Sequence, residues 1–161
     1  MKTKIIDLQN VAYLFLSLVM LFTATIVPLT GSQLIAGPIV NAILFLSVLF
    51  LGARVAILIA VVPSVIALLT GLLPFLLAPM IPFIITGNII LVFTFNNLKD
   101  SFLKGVLIAS FLKFFFLFVS GFLVINFAIK ETVIVSMMGW VQLFTALTGG
   151  LIAHLFYRLL K

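Results

Sequence analysis

The sequence predicts an all-α integral membrane protein, a six-transmembrane-helix bundle with both termini on the cytoplasmic side. Of its 161 residues, 65% are hydrophobic and 7% charged, against roughly 45–50% and about 25% in soluble domains. A chain this apolar cannot cover its own surface in water. The rare charges also partition the chain: 46 uncharged residues separate Asp7 from Arg54, and 44 separate Arg54 from Lys99. At about 20 residues per crossing, each run is two passes. Finally, with the N-terminus inside, Lys2, Lys4, Arg54, Lys99, Lys104, Arg158 and Lys161 fall inside and only Lys130 outside, as the positive-inside rule requires.

The elements follow in order from the breakers between them, since Gly and Pro disfavour helix interiors. A first helix near 8–29 ends at Thr30-Gly31-Ser32-Gln33, and Gly37-Pro38 opens a second near 38–51. Gly52-Ala53-Arg54 turns into a third near 54–70. Thr70-Gly71 and Pro74 precede a fourth near 74–95, and Asn96-Asn97-Leu98-Lys99-Asp100 ends it. A fifth near 101–127 and a sixth near 132–159 flank Lys130-Glu131. The second and third are short for a full crossing, which suits oblique or partial insertion. Met1-Lys2-Thr3-Lys4 before an apolar run resembles a secretory signal. No small-x-small cleavage site follows it, so the segment reads as a retained first helix.

These properties exclude a soluble enzyme, a free nucleic-acid-binding domain and a disordered tail. The nine Lys and Arg residues and net charge of +6 are topology signals, not a nucleic-acid surface. The chain has no cysteine, hence no disulfide, thiolate metal site or Cys nucleophile. His154 is the one histidine, which disfavours a His-based metal site. No nucleophile–base pair, nucleotide-binding loop or carboxylate at membrane depth is present, so neither catalysis nor proton coupling nor ATP hydrolysis is expected of this chain.

Lys113 is the most informative residue. It lies roughly 15 Å from the inner end of its helix by helical rise, where a charge costs several kcal/mol. Asp7, Asp100 and Glu131 all fall at helix ends. Three fates remain for the ammonium: snorkelling to the inner face, satisfaction by amides and carbonyls, or an anionic ligand. Ser110 and Ser120, at minus three and plus seven, share its helical face. Asn41, Asn88 and Gln142 place amides inside the second, fourth and sixth helices, and Gln33 lies in the outer loop. Each amide in hydrocarbon needs a partner, either as interhelical glue or as part of a shared polar pocket. Thr145 and Thr148 extend that polarity, and Gly149-Gly150 allows close helix contact. Ala56, Ala60 and Ser64, spaced by four, admit another helix. Pro74, Pro79 and Pro82 before Gly87-Asn88 suit a kinked helix, as at transporter substrate sites.

Six short-looped helices with these motifs resemble the substrate-binding S component of energy-coupling factor (ECF) transporters. The likeness is carried by Gly37-Pro38-x-x-Asn41, Leu51-Gly52-Ala53-Arg54, Pro63, Thr70-Gly71-Leu72-Leu73-Pro74 and Pro79-x-x-Pro82-Phe83 with Gly87-Asn88. It continues through Leu112-Lys113-Phe114 and Gln142-Leu143-x-Thr145-Ala146-Leu147-x-Gly149-Gly150. Together these resemble the subgroup of unassigned substrate. The resemblance implies capture of a vitamin-like molecule outside and its delivery inward by toppling. A transmembrane coupling subunit and two ATPase subunits then supply the energy, with ATP used by them and no cofactor in this chain. It places the ligand site on the first outer loop and helices four to six, hence at Gln33, Asn88, Lys113 and Gln142, with Asn41 just below the loop. Many members dock the coupling subunit through Ala-x-x-x-Ala on helix one. This chain has only Ala12, Ser17 and Ala24 there, which leaves Ala56, Ala60 and Ser64, beside Arg54, as docking candidates. Metal-transporting members carry His-rich amino termini, unlike Met1-Lys2-Thr3-Lys4, so a metal cargo is disfavoured.

The expected protein is thus a prokaryotic multi-pass cell-membrane protein that binds a small organic molecule, Lys113 facing its carboxylate, phosphate or other electronegative group. The alternative is a structural scaffold of a cell-envelope assembly, of the rod-shape-determining type, with partner faces and no pocket.

Overall fold

The computed structural model describes residues 8–69, 79–127 and 139–160, all built into helices and their turns. Helix α1 (Leu8–Ile26) runs into a 3-10 turn, Val27–Thr30. Gly31 closes that turn at φ 69°, a left-handed conformation that glycine adopts without a Cβ penalty. Helices α2 (Gln33–Phe50) and α3 (Ala53–Leu69) follow, then α4 (Ile81–Leu98), a 3-10 turn at Lys99–Ser101, α5 (Phe102–Phe127) and α6 (Trp140–Leu159). Thr70-Gly71, Pro74, Lys130-Glu131 and the first seven residues, on which expectations are placed above, lie outside the described residues.

Four stretches are long and apolar enough to cross a membrane: Leu8–Thr30, Gln33–Phe50, Ile81–Val124 and Trp140–Leu159. Ala53–Ile66 is apolar but shorter. The expectation of a six-transmembrane-helix bundle is therefore corrected: among the described residues the bundle has five apolar helical stretches, of which four are long enough to cross. The reasons are geometric. Fourteen residues rise about 21 Å, short of a core of about 30 Å. The Lys99–Ser101 break is a 3-10 turn at which the chain reverses: Phe83 lies 6.5 Å from Phe116, and a Cβ on Gly87 would meet Leu117, so α4 and α5 pack antiparallel within the apolar stretch Ile81–Val124.

Two prolines also sit differently from their expected roles as breakers. Pro38 lies inside α2, which begins at Gln33, close enough to the start that little of the hydrogen-bond ladder is lost. Pro82 occupies the first turn of α4, where its missing N–H has no helical partner to lose. Neither opens a helix at membrane depth.

Aromatic contacts fix how the helices align. Phe50, near the end of α2, lies 6.1 Å from Tyr157 near the end of α6, and Phe102, at the start of α5, stacks on Tyr157 at 6.2 Å. The Tyr13 hydroxyl, early in α1, donates to the Leu51 carbonyl at 2.9 Å. One end of the bundle thus gathers the α2–α3 turn, the α4–α5 turn and the end of α6. Arg54, Lys99, Asp100, Lys104 and Arg158 are all at this end. Among the described residues the opposite end carries no Asp, Glu, Lys or Arg.

The core lies between α2, α4, α5 and α6. Phe45 meets Phe95 edge-on at 4.8 Å, and Phe95 meets Phe102 at 5.3 Å. Ala146 and Ala153 of α6 are fully buried beside them. The outer faces are apolar, with Phe15, Phe22, Phe144 and Leu155 exposed, as expected of surfaces solvated by lipid. Helix α1 is attached most lightly: its buried residues are Met20 and Ala24. Ser47 Oγ donates to the Ile43 carbonyl at 2.6 Å and lies 3.3 Å from Met20 Sδ.

Candidate functional site

The site begins with a close helix seam. Helices α2 and α6 run parallel, so Gly37 meets Thr145 and, four residues on, Asn41 meets Gly149. A Cβ on Gly37 would stand 2.7 Å from Thr145 Cβ, and one on Gly149 would stand 2.7 Å from both Asn41 Cβ and the Pro38 carbonyl oxygen. Glycine at these positions is a packing requirement, because real Cβ atoms do not approach so near. The seam holds Asn41, 2% exposed, in the middle of the bundle.

Lys113 reaches Asn41 from α5. It is 3% exposed, and its Nζ donates to Asn41 Oδ1 at 2.6 Å. Asn41 Nδ2 in turn donates to the Gly37 carbonyl at 2.9 Å, which orients the amide with its oxygen toward the lysine. Of the three fates open to the ammonium, the structure takes satisfaction by an amide. Ser110 precedes Lys113 by one turn on the same face of α5. Ser110 is fully buried, and its hydroxyl has no hydrogen-bond partner.

The other polar residues lie at different depths in the bundle. Asn88 of α4 and Gln142 of α6 are buried. Phe45 and Phe95 touch, and Asn41 lies four residues before the first while Asn88 lies seven before the second. On parallel helices this puts Asn88 about 4.5 Å further along the axis than Asn41. Thr145 donates to the Gln142 carbonyl at 3.1 Å. Ser120 is satisfied by its own helix, at the Phe116 carbonyl. Gln33 opens α2, half-buried, about 12 Å along the axis from Asn41, and stands apart from the cluster. The structure therefore joins Asn41 to Lys113, sets Asn88 near their depth, and leaves Gln142, seven residues before Gly149 and so about 10.5 Å along the axis from Asn41, nearer to the level of Gln33 at the uncharged end.

Of the docking candidates, Ala56 and Ala60 are buried in this chain's own core. Ser64 is half-buried and Arg54 is exposed at the basic end. An aromatic contact that residue spacing does not reveal adjoins the site: Phe114 stacks on Trp140 at 5.2 Å, tying α5 to the start of α6. Among the described residues no group of three or more His, Cys, Asp or Glu is placed to hold a metal ion.

Fold and site define a compact, largely helical protein with several long apolar helices, the build of a multi-pass membrane protein. No family model matches the chain, and no curated protein or solved structure matches it either.

Proposed function

We propose that this chain is a substrate-capture subunit of the ECF S-component kind, taking up a small organic micronutrient and working with a transmembrane coupling subunit and two ATPase subunits. The observation that carries this reading is the buried Lys113, held by an amide with no acid beside it among the described residues. A membrane-depth ammonium costs several kcal/mol on insertion scales, and a neutral amide returns only part of that. An anionic ligand group would return more. Buried Asn88 and Ser110 supply further polar groups, and Gln142 does so nearer the uncharged end. The protein sits in a prokaryotic cell membrane with its basic end inward, and exposed Arg54 is available there to a partner. The motifs from Gly37-Pro38 to Gly149-Gly150 support the same assignment.

The test is isolation from native membranes followed by native mass spectrometry. Co-isolated coupling and ATPase subunits, with a bound small molecule that is lost in a folded Lys113→Ala variant, support capture. A Lys113→Ala variant that folds and binds normally overturns the lysine's role.

The alternative is a structural scaffold of a cell-envelope assembly. It is favoured by the Lys113–Asn41–Gly37 chain, which ties α5 to α2 as a bond between helices does. Co-isolated envelope-assembly proteins, with no ligand and no ATPase, would decide for it.

A further inference from the structure

We propose that Ser110 and Lys113 form a seat for a single carboxylate group, so that the ligand is an organic monocarboxylate and not a phosphate ester; this rests on the capture role proposed above. The Ser110 hydroxyl is fully buried and unpartnered. Such a group costs about 1–3 kcal/mol, and in a native protein it asks for a reason. Lys113 stands one turn further along the same helix, its Cβ about 5–6 Å away. Its ammonium has three donors and one acceptor among the described residues, Asn41 Oδ1. Two lysine N–H groups and one hydroxyl are therefore unmet in one buried region.

An ionised carboxylate is acceptor-only, with about four lone-pair sites across two oxygens, and so complements donors that lack acceptors. Charge selects it over phosphate. Lys113 is the one charged side chain away from the basic end among the described residues. It neutralises a single negative charge, whereas a phosphate monoester carries about −1.5 to −2 at neutral pH. The excess would lie uncompensated in a low-dielectric interior. No arginine fork is present there for bidentate phosphate binding. Asn41 then acts as the resting occupant: its neutral oxygen holds the ammonium in place until a carboxylate arrives.

The test uses the full chain in lipid nanodiscs with 13Cε,15Nζ-labelled lysine, the Lys113 signal being assigned by its loss in Lys113→Met. Sodium acetate is titrated against inorganic phosphate, with sodium chloride at matched ionic strength. The expected result is a saturable shift of the Lys113 signal with acetate only, and apparent acetate affinity about tenfold weaker in Ser110→Ala. No saturation with acetate, an equal response to phosphate, or an unchanged affinity in Ser110→Ala overturns the carboxylate seat. Failure of the capture role reads out separately: acetate saturation with no coupling or ATPase subunit in native membranes removes transport and keeps the seat. Those subunits with no acetate response remove the seat and keep transport.

Discussion

Lys113 and Asn41, 72 residues apart in sequence, are joined by a 2.6 Å hydrogen bond that ties α5 to α2 in the middle of the bundle. Because Asn41 also donates to Gly37, the pair is oriented before any other group arrives. Removing one partner is expected to hurt more than removing both. Asn41→Leu leaves a buried ammonium without its acceptor and should cost about 3 kcal/mol. The double variant Asn41→Leu with Lys113→Met should recover much of that loss. Reversible unfolding in mixed micelles, analysed as a double-mutant cycle, measures the coupling; additive losses would mean that the bond contributes nothing to stability.

The glycines of α6 carry the second prediction. A Cβ at Gly150 would overlap the Val106 side chain, so Gly150→Ala should destabilise by about 1–3 kcal/mol through overpacking. Val106→Ala in the same chain should relieve most of it, because the obstruction is a side chain. Gly149→Ala should find no such rescue, since it meets the Pro38 carbonyl and Ala42 amide of the backbone as well as Asn41. Thermal unfolding of the two series separates these cases.

Helix α1 gives a third. With Met20 and Ala24 as its buried residues, it relies on the Tyr13 bond to the Leu51 carbonyl. Tyr13→Phe removes a hydrogen bond worth about 1 kcal/mol and should loosen α1 before the rest. Electron spin distance measurements between labels at Leu8 and Ser101 should broaden, while a pair on α4 and α6 stays narrow.

Sidedness is checked by labelling. The chain has no cysteine, so single cysteines can be introduced cleanly. If the basic end faces inward, Ser101→Cys is blocked only by reagents that cross the membrane, and Ser32→Cys reacts from outside. The opposite pattern would invert the bundle.

Residue spacing reveals some of this site and not the rest. Lys113 stands out because a charge within an apolar run is expensive wherever the run folds, and Ser110 shares its face by helical period alone. That Asn41 is the partner, and Gln33 is not, depends on which helices meet. That in turn rests on Gly37 and Gly149 bringing α2 and α6 to near contact. Ala56 and Ala60 show the same limit: their spacing marks a helix contact, and only the packing shows that this chain's own core covers them.

Hydropathy and hydrogen-bond demand act locally and sum along the chain, so the order of residues suffices for the membrane class, the helical backbone and the side chains that must be satisfied at depth. That order did not determine the number of membrane-crossing stretches, since charge spacing cannot distinguish a short α3 from a full span. The tertiary structure alone decided that Lys113 turns inward to Asn41 and away from the lipid face. That choice depends on contacts between residues far apart in the chain, which no local property encodes.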